Sequence, residues 1–208
     1  MNLIQKQILS VGIMLAAFAV GATSLVAITE AYTHDKIIDN ERQSLLSAIN
    51  ALVDSHEYNN EILTDIITLP ETEQLATKAN TTVYRARNDG TPVAVVFTSI
   101  APNGYSGTIK LLVGVYYDGT LAGVRVINHK ETPGLGDKIN EKKTDWILKF
   151  KGLSLTNPIE SQWAVKKDGG EFDQFTGATI TPRAVVTAVK KSLQYFEQNR
   201  DDLFKEAK

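Results

Sequence analysis

Residues 82–128 read TVYRARNDGTPVAVVFTSIAPNGYSGTIKLLVGVYYDGTLAGVRVIN, and this stretch decides the fold. Runs 82–87 and 92–100 flank Asn88-Asp89-Gly90, and runs 108–117 and 120–128 flank Asp118-Gly119. Each run is rich in β-branched and aromatic residues, and each intervening segment supplies the positive φ that a tight hairpin turn needs. Two consecutive hairpins predict an antiparallel sheet. Downstream, Asp137 is placed to cap a helix carrying Trp146, Ile147, Leu148 and Phe150, and one more strand is expected near 162–167, before the Asp168-Gly169-Gly170 turn. Thr181 suits a helix N-cap and Pro182 the first helical position, and Val185, Val186, Val189, Leu193 and Phe196 then fall on one face of a helix over 182–199. The expected fold is α+β, an antiparallel sheet with packed helices.

Upstream, residues 7–29 carry no charge, and 8–28 form a 21-residue apolar run broken only by small or weakly polar side chains. As a helix this run crosses a bilayer core of about 30 Å. A cleavable secretory signal has a shorter apolar region, roughly 7–15 residues, so residues 1–30 are read as a stub and a transmembrane anchor, with processing near Ala27 or Ala31 as the alternative. Lys6 precedes the span, whereas Glu30, Asp35 and Asp39 follow it. The basic bias places the N-terminus in the cytoplasm and the remainder outside, which in a bacterium means the inner membrane and the periplasm. Residues 31–80 are expected to be a juxtamembrane spacer. Within it Ile38, Leu45, Ile49, Leu52 and Val53 recur at helical spacing over 34–54. The polar face of that helix is acidic rather than basic, which favours core packing over binding to a membrane surface.

The chain has 208 residues, 22 basic and 24 acidic, a net charge of −2 and no cysteine. Thiol catalysis, cysteine-held zinc or iron–sulfur clusters, and disulfides are thereby excluded. The charge balance offers no general attraction to nucleic acid. His34, His56 and His129 show no metal-ligand spacing, so no metal site is expected.

Chemistry, where there is any, falls in two loops. The first, His129-Lys130-Glu131-Thr132-Pro133-Gly134-Leu135-Gly136, follows a strand and precedes a helix. Pro133 holds Thr132 extended, and Gly134 and Gly136 permit close approach of a flat ligand, although an ordinary strand-to-helix turn uses the same residues. Glu131 and His129 read as solvated side chains rather than an acid–base pair. The second loop, Asp173 to Arg183, gathers the hydroxyls of Thr176, Thr179 and Thr181 with the cation of Arg183 at a helix N-terminus. That is a seat for phosphate, or a capped helix with nothing bound.

Asp173-x-x-Thr176-Gly177-Ala178-Thr179 resembles the D-x-x-(S/T)-G-A-(T/S) motif of domains that carry flavin mononucleotide (FMN) as a phosphoester on the last hydroxyl residue. Glu131 to Gly136 matches an E-T-P-G-L-G segment of the same family, and Gly104-Tyr105-Ser106-Gly107 matches its G-Y-x-G element, in family order. With one N-terminal span, the chain resembles the G subunit of the Rnf/Rsx ion-translocating electron-transport complex over essentially its whole length. The C subunit of the sodium-pumping NADH:quinone reductase shares the domain and anchor but is usually longer, and it stands as the alternative, as does a non-redox assembly subunit. The resemblance implies an FMN-binding domain over 81–200, a tail over 201–208, Thr179 as the covalent attachment point, and no independent catalysis. It implies cofactor contacts from Thr176, Gly177, Ala178, Thr181, Arg183, Glu131, Thr132, Gly134, Leu135, Gly136 and Tyr105. It also implies other membrane subunits as partners, and a flavin transferase that uses FAD and a divalent metal. Tyr105 and Trp146 are candidate ring neighbours, each equally readable as core.

Overall fold

The computed structural model describes residues 2–205. The chain divides into two compact units, residues 1–47 and 48–208.

In the first unit the fold is a single element. Helix α1, Leu3–Asn50, runs without a break through the apolar segment and the region expected to be a separate helix over 34–54. No Pro or Gly occurs between Thr29 and Asn50, so nothing interrupts the hydrogen-bond ladder. Thr29 and Thr33 return their hydroxyls to the carbonyls of Leu25 and Thr29, 2.8 Å in each case. The helix is long and apolar enough to cross a membrane, and Leu15, Phe18, Leu25 and Ile28 lie exposed along it. It ends at Asn50, before the predicted 54.

The second unit is built on five antiparallel strands in the order β1-β2-β3-β4-β5. These are β1 Ile66–Leu69, β2 Thr81–Asn88, β3 Thr91–Gly104, β4 Gly107–Tyr116 and β5 Leu121–Asn128. The Asn88↔Thr91 pair closes the β2–β3 turn, with Asp89 and Gly90 at φ 49° and 79° as a two-residue hairpin requires. The third hairpin, β3–β4, exceeds the expectation. Its strands continue to Gly104↔Gly107, so the predicted pair of hairpins is one uninterrupted meander with Tyr105 and Ser106 at its longest tip. Strand β1 has no counterpart among the predicted elements.

Both faces of the sheet are covered. On one, Val83, Val95, Phe97, Leu111, Val113 and Val124 meet helix α2, Ile180–Phe204, through Val185, Val189, Leu193 and Phe196. Burying each of those large side chains contributes about 1.5–3 kcal/mol. On the other, Leu52 packs so closely on β4 and β5 that a Cβ added at Gly114 would lie 3.2 Å from it. Helix α2 starts two residues before the predicted 182 and runs past 199, because Leu203 and Phe204 are also buried. Arg87 of β2 donates to the carbonyl of Phe204 at 2.6 Å and Arg85 donates to that of Lys205, two cations at a helix C-terminus. Residues 201–204 of the expected tail are therefore helical, and 206–208 lie outside the described residues.

Two predicted elements between β5 and α2 take other forms. The expected helix is two short 3₁₀ turns, Gly136–Ile139 and Asp145–Phe150, and Thr144 rather than Asp137 caps the second by accepting from the Trp146 amide. The expected strand near 162–167 is irregular, with one bridge, Val165↔Phe172. Trp163 and Val165 are both buried here because they insert into an aromatic cluster with Phe150 and Phe172, which stack at 4.9 Å.

Candidate functional site

Three segments far apart in sequence converge at the start of α2. They are the β3–β4 tip, the loop after β5, and the loop entering the helix. Between them lies a cleft of about 260 Å³ lined by Tyr105, Glu131, Thr132, Leu135, Gly136, Gly177, Ala178, Thr179, Ile180 and Thr181. Nine of the twelve residues expected to contact a cofactor or carry it line this cleft. Thr176, Gly134 and Arg183 do not.

The loop entering α2 is a tight turn. The Ala178 amide donates to Phe175 at 3.0 Å, and Gly177 takes φ 80°. This turn delivers Thr179 to the last position before the helix, where its backbone is already helical and its hydroxyl makes no capping hydrogen bond. Because the first amides of a helix have no intrahelical acceptor, the N–H groups of Ile180 and Thr181 carry the positive end of the helix dipole. Asp173, at the head of the motif, lies outside the cleft and braces the loop. It accepts from Lys166 at 2.6 Å and Lys149 at 3.2 Å, and these two ammonium groups hold its carboxyl below the usual carboxylate range. Its carbonyl accepts from Trp146 Nε1 at 2.8 Å. Trp146 itself is buried edge-on against Phe150 and Phe175, so it is core and does not line the cleft.

Four residues depart from their expected roles. Arg183 forms a bidentate pair with Asp168, 2.6 and 2.8 Å, and that pairing keeps Asp168 below its ordinary range. Arg183 borders a neighbouring cleft of about 290 Å³ with Lys191 and Ile100 instead. Thr181 is not the cap, because the helix has already begun. Its side chain is fully buried and donates to Glu131 Oε2. Glu131 is not solvated but 4% exposed, and its carboxylate also accepts from the amides of Ser106 at 2.9 Å and Tyr105 at 3.3 Å. Gly136 does permit a close approach, but the approaching groups belong to the protein. A Cβ there would lie 2.8 Å from both Glu131 Oε2 and Thr181 Oγ1. Gly134 faces open space at φ +78°, and its amide donates to the nearly buried Asp137 at 2.8 Å.

Ile180 is the lining residue the sequence reading missed. Its signal was an apolar side chain left exposed at a helix start, where polar caps are usual. Together with Tyr105 and Leu135 it gives the cleft three apolar walls, 45%, 68% and 42% exposed, around a floor of hydroxyls and amides. Among the described residues no cluster of three or more His, Asp or Glu side chains could hold a metal ion.

A family model described as an FMN-binding domain matches residues 104–194, beginning at the β3–β4 tip, and one described as the RnfG N-terminal region matches residues 1–52. The G subunit of the ion-translocating oxidoreductase complex of Vibrio atlanticus is 46% identical over 203 residues, covering 98% of this chain and 95% of the relative. The corresponding G subunits from Pseudoalteromonas atlantica and Shewanella oneidensis are 47% and 45% identical, covering 96% and 93% of this chain and 93% and 91% of their own lengths.

Proposed function

The chain belongs to the G-subunit family of ion-translocating oxidoreductase complexes, and on that premise we propose that it is a membrane-anchored flavoprotein relaying electrons within such a complex. FMN is carried as a phosphoester on Thr179, with its ring in the cleft between Tyr105, Leu135 and Ile180. The observation that carries this reading is the position of Thr179. Its uncommitted hydroxyl stands at the cleft wall, beside amides that a helix start leaves unpaired. The fit extends to the walls. A planar apolar ring needs apolar faces and a few fixed polar groups, and the cleft offers both, in a volume of about 260 Å³ that falls just below ordinary ligand sites of roughly 300–1,000 Å³.

When bound, FMN supplies the electron-carrying chemistry, and the chain supplies position and electrostatics. The turn at Gly177 and Ala178 presents the attachment oxygen. The N–H groups of Ile180 and Thr181 would hold the phosphate, and the main chain of Thr132 and Gly136, which lines the cleft, would lie against the ring, the Gly134 and Leu135 amides being already bonded to Asp137 and Thr132. Thr176 is exposed and serves the turn rather than the ring. A threonine hydroxyl without an adjacent base is a poor nucleophile, so attachment is the work of a separate flavin transferase. That enzyme forms the bond from Thr179 Oγ to phosphorus, breaks the pyrophosphate of FAD and releases AMP.

The anchor has no ionisable residue over 7–29, so ion movement belongs to partner membrane subunits. The Lys6-before, Glu30-after charge bias supports a cytoplasmic N-terminus and a domain on the periplasmic side of a bacterial inner membrane. The test is the intact mass of the chain extracted from membranes after co-expression with a flavin transferase. An uncleaved chain plus one FMN less water is expected. A mass lacking the first 27–31 residues would overturn the anchor, and an unmodified mass would overturn the tether.

A further inference from the structure

The cleft contains a buried carboxylate that the tethering chemistry does not use. Glu131 is 4% exposed, and no ion pair to it exists among the described residues. Its two oxygens accept from the amides of Tyr105 and Ser106 and from the Thr181 hydroxyl. These donors compensate the charge only in part, because none carries a full positive charge. Glu131 nevertheless lines the cleft, beside Leu135 and Thr181. The same carboxylate fastens the hairpin tip that carries Tyr105 to the first turn of α2.

From this arrangement we infer that Glu131 lowers the reduction potential of the flavin by placing an unneutralised negative charge beside it. The inference rests on the ring occupying this cleft. Two electrons and one proton delivered to the ring leave it with one negative charge. A carboxylate as buried as Glu131 is little screened by water and salt, and it opposes that added charge. Removing the carboxylate charge therefore raises the potential. Removing a donor that compensates it lowers the potential. The two substitutions have opposite signs, which simple loosening of the cleft does not produce.

The experiment uses the full-length flavin-loaded chain in detergent at about pH 8, above the carboxylate range. It is titrated with dithionite through redox mediators while flavin absorbance is followed. Glu131→Gln keeps the shape and should shift the reduced-to-oxidised ratio at fixed ambient potential about tenfold toward reduced, or about 30 mV for a two-electron couple. Thr181→Val removes one donor and should shift the ratio toward oxidised. An unchanged potential in Glu131→Gln, or a shift of both variants in the same direction, overturns the inference. If Glu131→Gln does not fold, Thr181→Val decides alone, and a potential that rises or stays the same is contrary to the inference. A third variant, Leu135→Trp, places an indole on the cleft wall and should quench flavin emission. Quenching with an unmoved Glu131→Gln potential removes the role of Glu131 and leaves the cleft assignment standing. Unquenched emission removes the cleft assignment, and the inference falls with it.

Discussion

Gly134 and Gly136 look interchangeable in the sequence, yet alanine at the two positions should have unequal effects. At Gly136 the new methyl would lie 2.8 Å from Glu131 Oε2 and from Thr181 Oγ1, and 3.0 Å from Glu131 Cβ. The carboxylate cannot swing aside without leaving the Ser106 and Tyr105 amides and the Thr181 hydroxyl. Overpacking of this kind costs about 1–3 kcal/mol, and loosening hydrogen bonds to a charged group costs about as much, so Gly136→Ala is expected to lose about 2–3 kcal/mol. For a unit the size of residues 48–208, each kcal/mol lowers Tm by about 2–4 °C, giving a drop of about 4–12 °C. At Gly134 the space is open and only the left-handed backbone (φ +78°) is penalised, so alanine costs about 1 kcal/mol there. Tryptophan fluorescence is the assay, because the chain's two tryptophans, Trp146 and Trp163, are both buried in this unit and report its unfolding alone. A Gly136→Ala chain that melts with wild type, or above Gly134→Ala, would refute the packing of Glu131 against Thr181.

Three further outcomes follow from the same geometry. Arg85→Ala removes a nearly buried partner of Asp65, 2.5 Å away, and a cap on α2. Because Arg87 still pairs with Asp65, the loss should be about 2–3 kcal/mol rather than the full cost of an orphaned buried charge, read as a lower urea midpoint; no change in midpoint would count against the cap. Asp173 has its carboxyl held low by Lys166 and Lys149, so its contribution to stability is complete above about pH 3.9 and is lost as pH falls through the range below; Asp173→Asn should flatten the acid limb of the stability curve, and an unaltered limb would contradict the brace. Arg183→Gln should leave flavin loading within about twofold of wild type, since the guanidinium is tied to Asp168 in an exposed pair; a loss of loading would restore it to the phosphate site.

The parts of this molecule legible in its sequence are those set by neighbouring residues. Asn88-Asp89-Gly90 and Asp118-Gly119 mark their turns because positive φ is a local demand, and α2 declares itself through a 3.6-residue apolar period. The T-G-A-T turn and the 131–136 loop were legible as motifs. The resemblance to the Rnf/Rsx protein rather than to its longer counterpart in the sodium-pumping reductase agrees with relatives matched over more than nine-tenths of both lengths. What escaped depends on distant partners. Glu131 meets Tyr105 and Thr181 across 26 and 50 residues, and no local pattern distinguishes a carboxylate destined for burial there from a solvated one. Arg183 read as a free cation because Asp168, 15 residues earlier, belonged to a different turn. Strand β1 has only four residues and forms because β2 offers it an edge. The segment around Trp163 and Val165 alternates in burial like a strand while docking its side chains one by one into the aromatic core.

The proposed flavin tether is a covalent bond at one oxygen atom, and fragmentation of a single peptide locates it. The chain is co-expressed with a flavin transferase and digested, and the peptide spanning residues 173–183 is sequenced by tandem mass spectrometry. An FMN phosphoester on Thr179 is expected in the wild-type chain, retained in Thr176→Val and absent from Thr179→Val, whose branched side chain preserves the fold without the hydroxyl. FMN localised to Thr176 or Thr181, or still covalently bound in Thr179→Val, would contradict it.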